Sequence, residues 1–287
     1  MLAIYKKEIK AYFTSIVGYL FIAFFLAIIG LYHYLQNMYG ESANFSYALY
    51  SISIFFVLLV PMITMRIMAE ENKQKTDQLL LTSPISITKI IVGKYLAVIS
   101  VFTVVMGITC IYPLVMANYG TVNFKMNYAA IFAFFLLGAS YMAIGLFISA
   151  MTESQAFAAV VTFIVILLTY LATGIGSIMP TDNKTAWITF SVLYLIVTII
   201  TYVMMHNLTL SFFIGCIGEI AIAALYLLNP TLFDGSVVKV LGWFSMITRF
   251  DTFIYGNFDV AAVVYYISLI VLFIFLTIQT IKKRRWS

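Results

Sequence analysis

The sequence predicts an all-α protein, a polytopic bundle of about eight transmembrane helices. Its 287 residues are 63% hydrophobic and only 9% charged, and the mean hydropathy is +1.05. A water-soluble domain carries about 25% charged residues and roughly half apolar ones. No globular core could bury so much apolar surface, so lipid must surround most of the chain. The length leaves room for roughly eight spans of about 20 residues each, and for no large soluble domain.

Eight apolar segments have the length that a bilayer-crossing helix requires. They are Ile16–Gln36, Tyr47–Met65, Lys94–Ala117, Tyr128–Met151, Ala156–Ile178, Trp187–Met205, Leu208–Leu228 and Val260–Ile281. Only a very short turn, within MMHNL, separates the sixth segment from the seventh, so a single bent, buried segment is the alternative there. Pro113 should bend the third span, because proline removes a backbone donor and clashes with the preceding turn.

The basic residues predict the orientation, because lysine and arginine collect in short loops on the cytoplasmic side. With the N-terminus inside and eight spans, 12 of the 16 lysines and arginines fall inside and four fall outside. The four outer residues are Lys125, Lys184, Lys239 and Arg249. Both termini are therefore predicted to be cytoplasmic.

Two amphipathic segments accompany the spans. Residues 1–13, MLAIYKKEIKAYF, place Leu2, Tyr5 and Ile9 on one face and charged residues on the other. This pattern predicts a short helix lying flat at the cytoplasmic interface, and a frayed basic segment that only sets topology is the alternative. Residues 229–259 carry apolar residues at helical spacing and predict an extracellular interfacial or re-entrant segment. Because no repeat or low-complexity linker interrupts the chain, residues 1–287 are predicted to form a single transmembrane domain.

The chain lacks the sequence motifs of hydrolytic and metal-dependent enzymes. Its only Gly-Lys pair, Gly93-Lys94, has Thr88 where the first glycine of a P-loop should stand. Neither histidine belongs to an H-E-x-x-H motif, and the cysteines Cys110 and Cys216 lie in apolar runs that suggest packing roles. The chain is therefore predicted not to be an enzyme and to bind no cofactor or metal. The scattered basic residues do not favour nucleic acid as a partner.

Glu219 is the clear exception to the apolar character of the spans, because it lies near the middle of the seventh. A carboxyl group at mid-bilayer costs several kcal/mol unless it is neutral, paired or hydrated, which makes it a functional candidate. A protonated glutamate hydrogen-bonded to a neighbouring helix, or a glutamate that faces a small aqueous pocket, is an equally good interpretation. One acid is weak evidence for a gradient-coupled carrier, because such carriers place several ionisable groups inside their spans.

The most charged stretch, residues 66–93, lies between the second and third spans. The charged run AEENKQKTDQ is followed by the apolar run LLLTSPISITKII. Pro84 should divide this stretch into two short helices, because proline disfavours helix at the residue before it. A helix–break–helix that projects into the cytoplasm would give a partner protein a surface to bind. A solvated, charged loop is the alternative, but it does not explain the apolar run.

Three stretches resemble the ABC-2 type permeases, the membrane subunits of ATP-binding-cassette transporters. AEENKQKTDQLLLTSPISITKIIVGKYLA is similar to the cytoplasmic loop of that family, and AIGLFISAMTESQAFAAVVTF is similar to its fourth span and the following turn. The ending, YYISLIVLFIFLTIQTIKKRRW, is similar to that of gliding-motility-type permeases. The resemblance covers most of the chain in order. The family's common layout has six spans, so the region from about Trp187 to Leu228 looks like an inserted pair.

The resemblance implies a division of labour between chains. A separate ABC ATPase would bind ATP and Mg²⁺, and the hairpin formed by residues 66–93 would dock into it. A second permease chain, identical or related, would complete the transporter within the lipid of a bacterial plasma membrane, and the resemblance favours export. The coupling residues implied are Glu70, Glu71, Leu79, Leu80, Thr82, Ser83, Pro84 and Lys94. The alternative is a gradient-coupled secondary carrier or a non-transporting membrane scaffold, with Glu219 as its key ionisable residue.

Overall fold

The computed structural model describes residues 1–76, 85–179, 181–205 and 208–286, and within these ranges the secondary structure is helical, with no strand. The all-α prediction is confirmed. The α-helices of the described ranges are α1 (Leu2–Thr14), α2 (Ile16–Tyr32), α3 (Phe45–Ile52), α4 (Phe56–Thr64), α5 (Ala69–Gln74), α6 (Ile87–Thr109), α7 (Tyr112–Met116), α8 (Phe124–Met151), α9 (Gln155–Ile178), α10 (Asn183–Met205), α11 (Leu208–Leu228), α12 (Ser236–Phe244), α13 (Ile247–Ile254) and α14 (Val260–Trp286). A π-helical turn, His33–Tyr39, extends α2, and 3₁₀ turns cover Ser53–Phe55 and Pro230–Phe233.

Seven helical segments of the described chain are long and apolar enough to cross a membrane. They are Ile16–Tyr39, Phe45–Gln74, Ile87–Met116, Phe124–Met151, Gln155–Ile178, Ser211–Leu228 and Val260–Lys283. The remaining predicted span corresponds to α10, which contributes a shorter apolar helix, Asn183–Ile199. The structure thus confirms a polytopic helical bundle and matches each of the eight predicted segments with a helix.

The helices show three predicted features: the bend at Pro113, the connection between the sixth and seventh segments, and the segment 229–259. The third span breaks after Thr109 and resumes as α7 with Pro113 in its first turn, as the geometry of proline requires. Helices α10 and α11 fold back on each other, since the rings of Trp187 and Tyr226 stack with centroids 5.3 Å apart. The alternative of one bent segment is therefore wrong. The segment 229–259 contains two helices, α12 and α13, because the backbone is extended at Ser245.

Contacts between Cα atoms divide the chain into two compact units. The first unit comprises Met1–Tyr170 and Met246–Ser287, and the second comprises Leu171–Ser245. The first holds the larger core, which α8 crosses with most of its side chains buried. The second is built around the α10–α11 hairpin and a small cluster of Ala186, Phe233 and Val237. A single functional domain over residues 1–287 stays a prediction.

Small residues on α8 allow two neighbouring helices to approach its backbone closely. A Cβ added to Gly138 would lie 2.6 Å from the Phe102 ring of α6 and 2.8 Å from the Phe56 ring of α4. Two helical turns further along α8, a Cβ on Gly145 would overlap the side chain of Thr64. Glycines at such positions let helices pack tightly in a membrane, where van der Waals contact and hydrogen bonds drive association. This close packing positions the backbone that follows α4 beside the C-terminal end of α8, where Ser149 bonds to Met68 and Ala69.

Candidate functional site

The first element of the site is α1, and protein covers part of its apolar face. Ile4 and Tyr12 are buried, and the Tyr12 hydroxyl donates to the Ile63 carbonyl of α4 at 3.3 Å. The Tyr5 hydroxyl lies 2.9 Å from the Ser100 hydroxyl of α6. Burial, with a smaller contribution from the nearby Glu8 carboxylate, raises the pKa of the Tyr12 hydroxyl well above its usual value. The amphipathic pattern of residues 1–13 therefore reflects packing against the bundle as well as an exposed basic face.

Lys94 is the centre of a buried ion-pair cluster. Its Nζ lies 3.0 Å from Glu8 Oε1 and 3.0 Å from Glu71 Oε1, and it donates to the Ile67 carbonyl at 3.0 Å. Only 1% of the side chain is exposed. An ammonium group has three hydrogens, so these three acceptors satisfy it completely, which a buried charge requires. The Lys94 cluster, defined as Lys94, Glu8, Glu71 and Lys7, joins α1, α5 and the start of α6.

The two acids predicted to contact a partner are held by basic residues of the same chain. Lys7 Nζ lies 3.2 Å from Glu71 Oε1, so Glu71 has a second cation beside Lys94. Glu70 pairs with Arg66, whose Nε is 2.9 Å from Glu70 Oε2. The Glu71 side chain is 14% exposed and that of Glu70 is 32% exposed. Glu71 is therefore directed into the protein, whereas Glu70 remains accessible. Their direct role in coupling stays a prediction.

Ser149, near the C-terminal end of α8, fixes the backbone that leads into α5. Its Oγ accepts hydrogen bonds from the N–H groups of Met68 and Ala69, both at 3.1 Å, and donates to the Met65 carbonyl at 3.1 Å. A hydroxyl offers one donor and two acceptor sites, so all three are used. The buried Asn72 amide adds two bonds to carbonyls after Ser149. Asn72 could not be predicted as a site residue, because a polar residue in a charged stretch carries no signal that it is buried.

The remaining predicted site residues fall elsewhere. The members of the apolar run and its proline lie outside the described residues: Leu79, Leu80, Thr82, Ser83 and Pro84. Glu219 belongs to α11 in the second unit, and its Oε1 is buried without a hydrogen-bond partner in the described chain. Nowhere in the described ranges do three His, Cys, Asp or Glu side chains come together as metal ligands. The structure thus brings together Glu70, Glu71 and Lys94 and adds Glu8 and Ser149.

Comparison with known families identifies the kind of membrane protein to which this site belongs. The profile of the family described as "ABC-2 family transporter protein" matches residues 32–278, which is most of the chain. The chain belongs to this family. The resemblance found in the sequence is thereby confirmed, and the ABC-2 permease is a multi-pass, non-catalytic membrane subunit of an ABC transporter. No curated protein matches the chain.

We expect Ser149→Ala to loosen the α5 segment of the ABC-2 permease without unfolding the bundle. The change removes one donor and leaves two buried N–H groups without their acceptor, at a cost of about 1–3 kcal/mol. Tryptic cleavage after Lys73 or Lys75, both exposed, should then accelerate by roughly fivefold to a hundredfold. Ser268→Ala is the matched control, because that exposed hydroxyl bonds only within its own helix. Equal cleavage rates in the two variants would contradict the assigned role of Ser149.

Proposed function

We propose that this ABC-2 permease is the membrane subunit of an ATP-driven exporter and that a separate ABC ATPase docks at its cytoplasmic hairpin, residues 66–93. The observation that supports this most directly is the Lys94 cluster. It joins the hairpin through Glu71, the N-terminal helix through Glu8, and the third span through Lys94 itself. A displacement of the hairpin by a partner would therefore reach the third span through short, buried contacts.

The exposed charges suggest how the ATPase is bound. The carboxylates Glu8, Glu70 and Glu71 are all engaged by basic residues, so they offer little free negative charge to a partner. Exposed lysines without ion-pair partners in the described chain lie on or next to α1, α5 and α6: Lys6, Lys10, Lys73, Lys75 and Lys89. An acidic surface on the ATPase would complement these lysines, with Leu79, Leu80, Thr82, Ser83 and Pro84 supplying the apolar and turn contacts. Glu71 and Lys94 would act by positioning the hairpin.

The rest of the proposed assembly follows from family membership. Two permease chains, identical or related, would pair within the lipid of a bacterial plasma membrane and alternate between inward- and outward-facing states. ATP and Mg²⁺ would be bound by the ATPase, since the permease sequence has no P-loop. The alternative of a gradient-coupled carrier or a membrane scaffold is favoured by one observation, the buried and unpartnered Oε1 of Glu219.

Co-purification distinguishes these functions. The tagged permease would be expressed in its native host, extracted in mild detergent or nanodiscs, and its stoichiometric partners identified by mass spectrometry. We expect a P-loop ATPase at about one copy per permease, because the transport cycle needs two ATPase domains for two permease chains. If several gentle extractions yield the intact permease without any ATPase, the proposed function is wrong and the carrier hypothesis gains support.

We expect the double variant Lys73→Glu with Lys89→Glu to bind the ATPase at least about tenfold more weakly. Each reversal places a negative charge opposite an acidic surface of the partner. Both lysines are exposed, so the permease itself should fold normally. Capture would be measured at several salt concentrations, and the loss should shrink as salt screens the charges. Lys239→Glu is the matched control, because Lys239 is predicted to face the outside. Unchanged capture by the double variant would show that the lysines do not contact the ATPase.

A further inference from the structure

The α10–α11 hairpin contains an unusual concentration of buried polar atoms. Trp187 Nε1, Ser191 Oγ, Ser211 Oγ and Glu219 Oε1 are all buried, and none has a hydrogen-bond partner in the described chain. An unpartnered buried polar group costs roughly 1–3 kcal/mol in a protein and more in lipid. Four such atoms in one helical hairpin therefore indicate that they serve a purpose other than stability.

Contacts between the two helices show that these polar groups share one seam. Trp187 stacks on Tyr226, and a Cβ added to Gly215 would lie 2.8 Å from the Thr198 side chain. A Cβ on Gly218 would likewise overlap the ring of Tyr194. Such contacts fix an antiparallel register in which the middle of α10 faces the middle of α11.

The spacing of the polar residues matches this register. On α10 they recur every three or four residues, which places them on one face. They are Trp187, Ser191, Tyr194 and Thr198. The facing residues of α11 include Ser211, Gly215, Gly218 and Glu219. We call this arrangement the polar seam, and it runs from the Trp187 end of the hairpin to Glu219 and beyond.

The outer faces of the same two helices are apolar and exposed. On α10 the exposed residues are Ile188, Val192, Leu193, Leu195, Ile196, Val197 and Ile199, and on α11 they include Phe212, Phe213, Ile217, Ile220 and Leu225. Polar groups inside and apolar groups outside are the arrangement expected of a hairpin surrounded by lipid.

Between Lys184 and Lys239 the sequence has no lysine or arginine that could neutralise Glu219. It is the only Asp, Glu, Lys or Arg between Lys184 and Asp234 in the sequence. The charged groups of neighbouring elements lie at helix ends or on α12: Asp182, Lys184, Asp234 and Lys239. The other titratable side chains of the two helices are Tyr194, Tyr202, Cys216 and Tyr226, and His206 lies outside the described residues. None of these described groups is a cation at neutral pH.

We propose that Glu219 is a proton-binding site inside the membrane, within the polar seam of the hairpin. The carboxylate takes its proton from water, and the neutral acid both donates and accepts hydrogen bonds, which suits the hydroxyl and indole groups of the seam. Neutralisation by a proton removes the cost of an unpaired charge in lipid. This gives the ABC-2 permease a proton-dependent element that the ATP-driven cycle does not require.

Labelling with dicyclohexylcarbodiimide, an apolar reagent for protonated carboxyl groups, tests the proposal on the full chain in liposomes. The O–H of the carboxyl group adds across one C=N bond of the reagent, so its oxygen bonds to carbon and its proton moves to nitrogen. Peptide mass spectrometry should locate the adduct at Glu219. The rate of labelling should fall about tenfold per pH unit once the carboxyl group is largely ionised. Because the wild-type chain is used, this result does not depend on the folding of a variant.

Two variants complete the test. Glu219→Gln should abolish the adduct, whereas Glu153→Gln, which removes an exposed carboxyl group, should leave it unchanged. Absence of an adduct at Glu219, or a labelling rate independent of pH, would overturn the proposal. Neither outcome depends on whether an ATPase co-purifies, so this proposal and the proposed function can fail separately.

Discussion

Replacing Lys94 by methionine should destabilise the ABC-2 permease by about 3–5 kcal/mol, because it leaves two inward-directed carboxylates without their shared cation. Lys94 is 1% exposed and its Nζ contacts both Glu8 and Glu71 at 3.0 Å. Methionine fills a similar volume, so the loss would come from charge and hydrogen bonding rather than from a cavity. We expect a marked fall in the thermal midpoint of the detergent-solubilised protein and earlier tryptic cleavage near the N-terminus.

A matched control separates this effect from the general loss of a lysine. Lys89 lies on the same helix, α6, but its side chain is exposed, so Lys89→Met should change stability by less than about 0.5 kcal/mol. Adding Glu8→Gln and Glu71→Gln to Lys94→Met should recover much of the lost stability. Replacing all charges of a buried ion cluster together costs little stability, because no unpaired charge is left behind. Equal effects of Lys94→Met and Lys89→Met would show that the cluster does not hold these helices together.

Gly145→Ala should be nearly as damaging, because the added methyl group overlaps the Thr64 side chain where α8 crosses α4. The Thr64 hydroxyl already bonds to the Val60 carbonyl at 2.8 Å, and a β-branched side chain has few other rotamers. The two helices must therefore separate, at a cost of about 1–3 kcal/mol or more. Because Ser149 lies one turn further along α8, the α5 segment should loosen as well. Expression yield and thermal midpoint would measure the effect.

Gly107→Ala provides the contrast for this prediction. Gly107 is also a helical glycine, but a Cβ there would have no atom within 4 Å. Alanine is a better helix former than glycine by roughly 0.5–1 kcal/mol, so this variant should be neutral or slightly more stable. Thr64→Ala combined with Gly145→Ala should recover part of the loss by relieving the overlap. If Gly145→Ala proves as stable as Gly107→Ala, the close approach of α4 and α8 is wrong.

The pairing of Glu71 changes how a coupling experiment must be interpreted. Glu70→Ala with Glu71→Ala would uncouple the ATPase if these acids touch it. The same double variant would also leave Lys94 with only one carboxylate, that of Glu8, and would release Lys7. Glu70→Ala alone is the cleaner test of docking, because the Glu70 side chain is 32% exposed and its ion-pair partner in the described chain is Arg66. Exposed ion pairs of this kind contribute about 0–1 kcal/mol, so a loss of transport would then report contact with the ATPase.

The seven long spans, the N-terminal helix and the break before Pro113 could all be predicted from local pattern. Hydropathy over about 20 residues and the missing backbone donor of proline are properties of neighbouring residues, so no fold is needed to detect them. The motifs around Glu70, Gly145 and the C-terminus were enough to identify the family, which the profile match confirms. The two histidines and two cysteines gave no motif to build a catalytic site on.

The partners of the charged residues, by contrast, required the tertiary structure. Lys94 and Glu8 are 86 residues apart in sequence, and Ser149 contacts the backbone of residues about 80 positions earlier. The local sequence around a charged loop residue is the same whether water or a distant helix surrounds its side chain. Ion pairing depends on distance in space, which the local sequence does not contain. Packing of α1 against α6 and of α4 against α8 buries Glu71, Lys94 and Asn72. These three residues lie in or beside a charged stretch that looks solvated in the sequence, but in the fold their contacts hold neighbouring helices together.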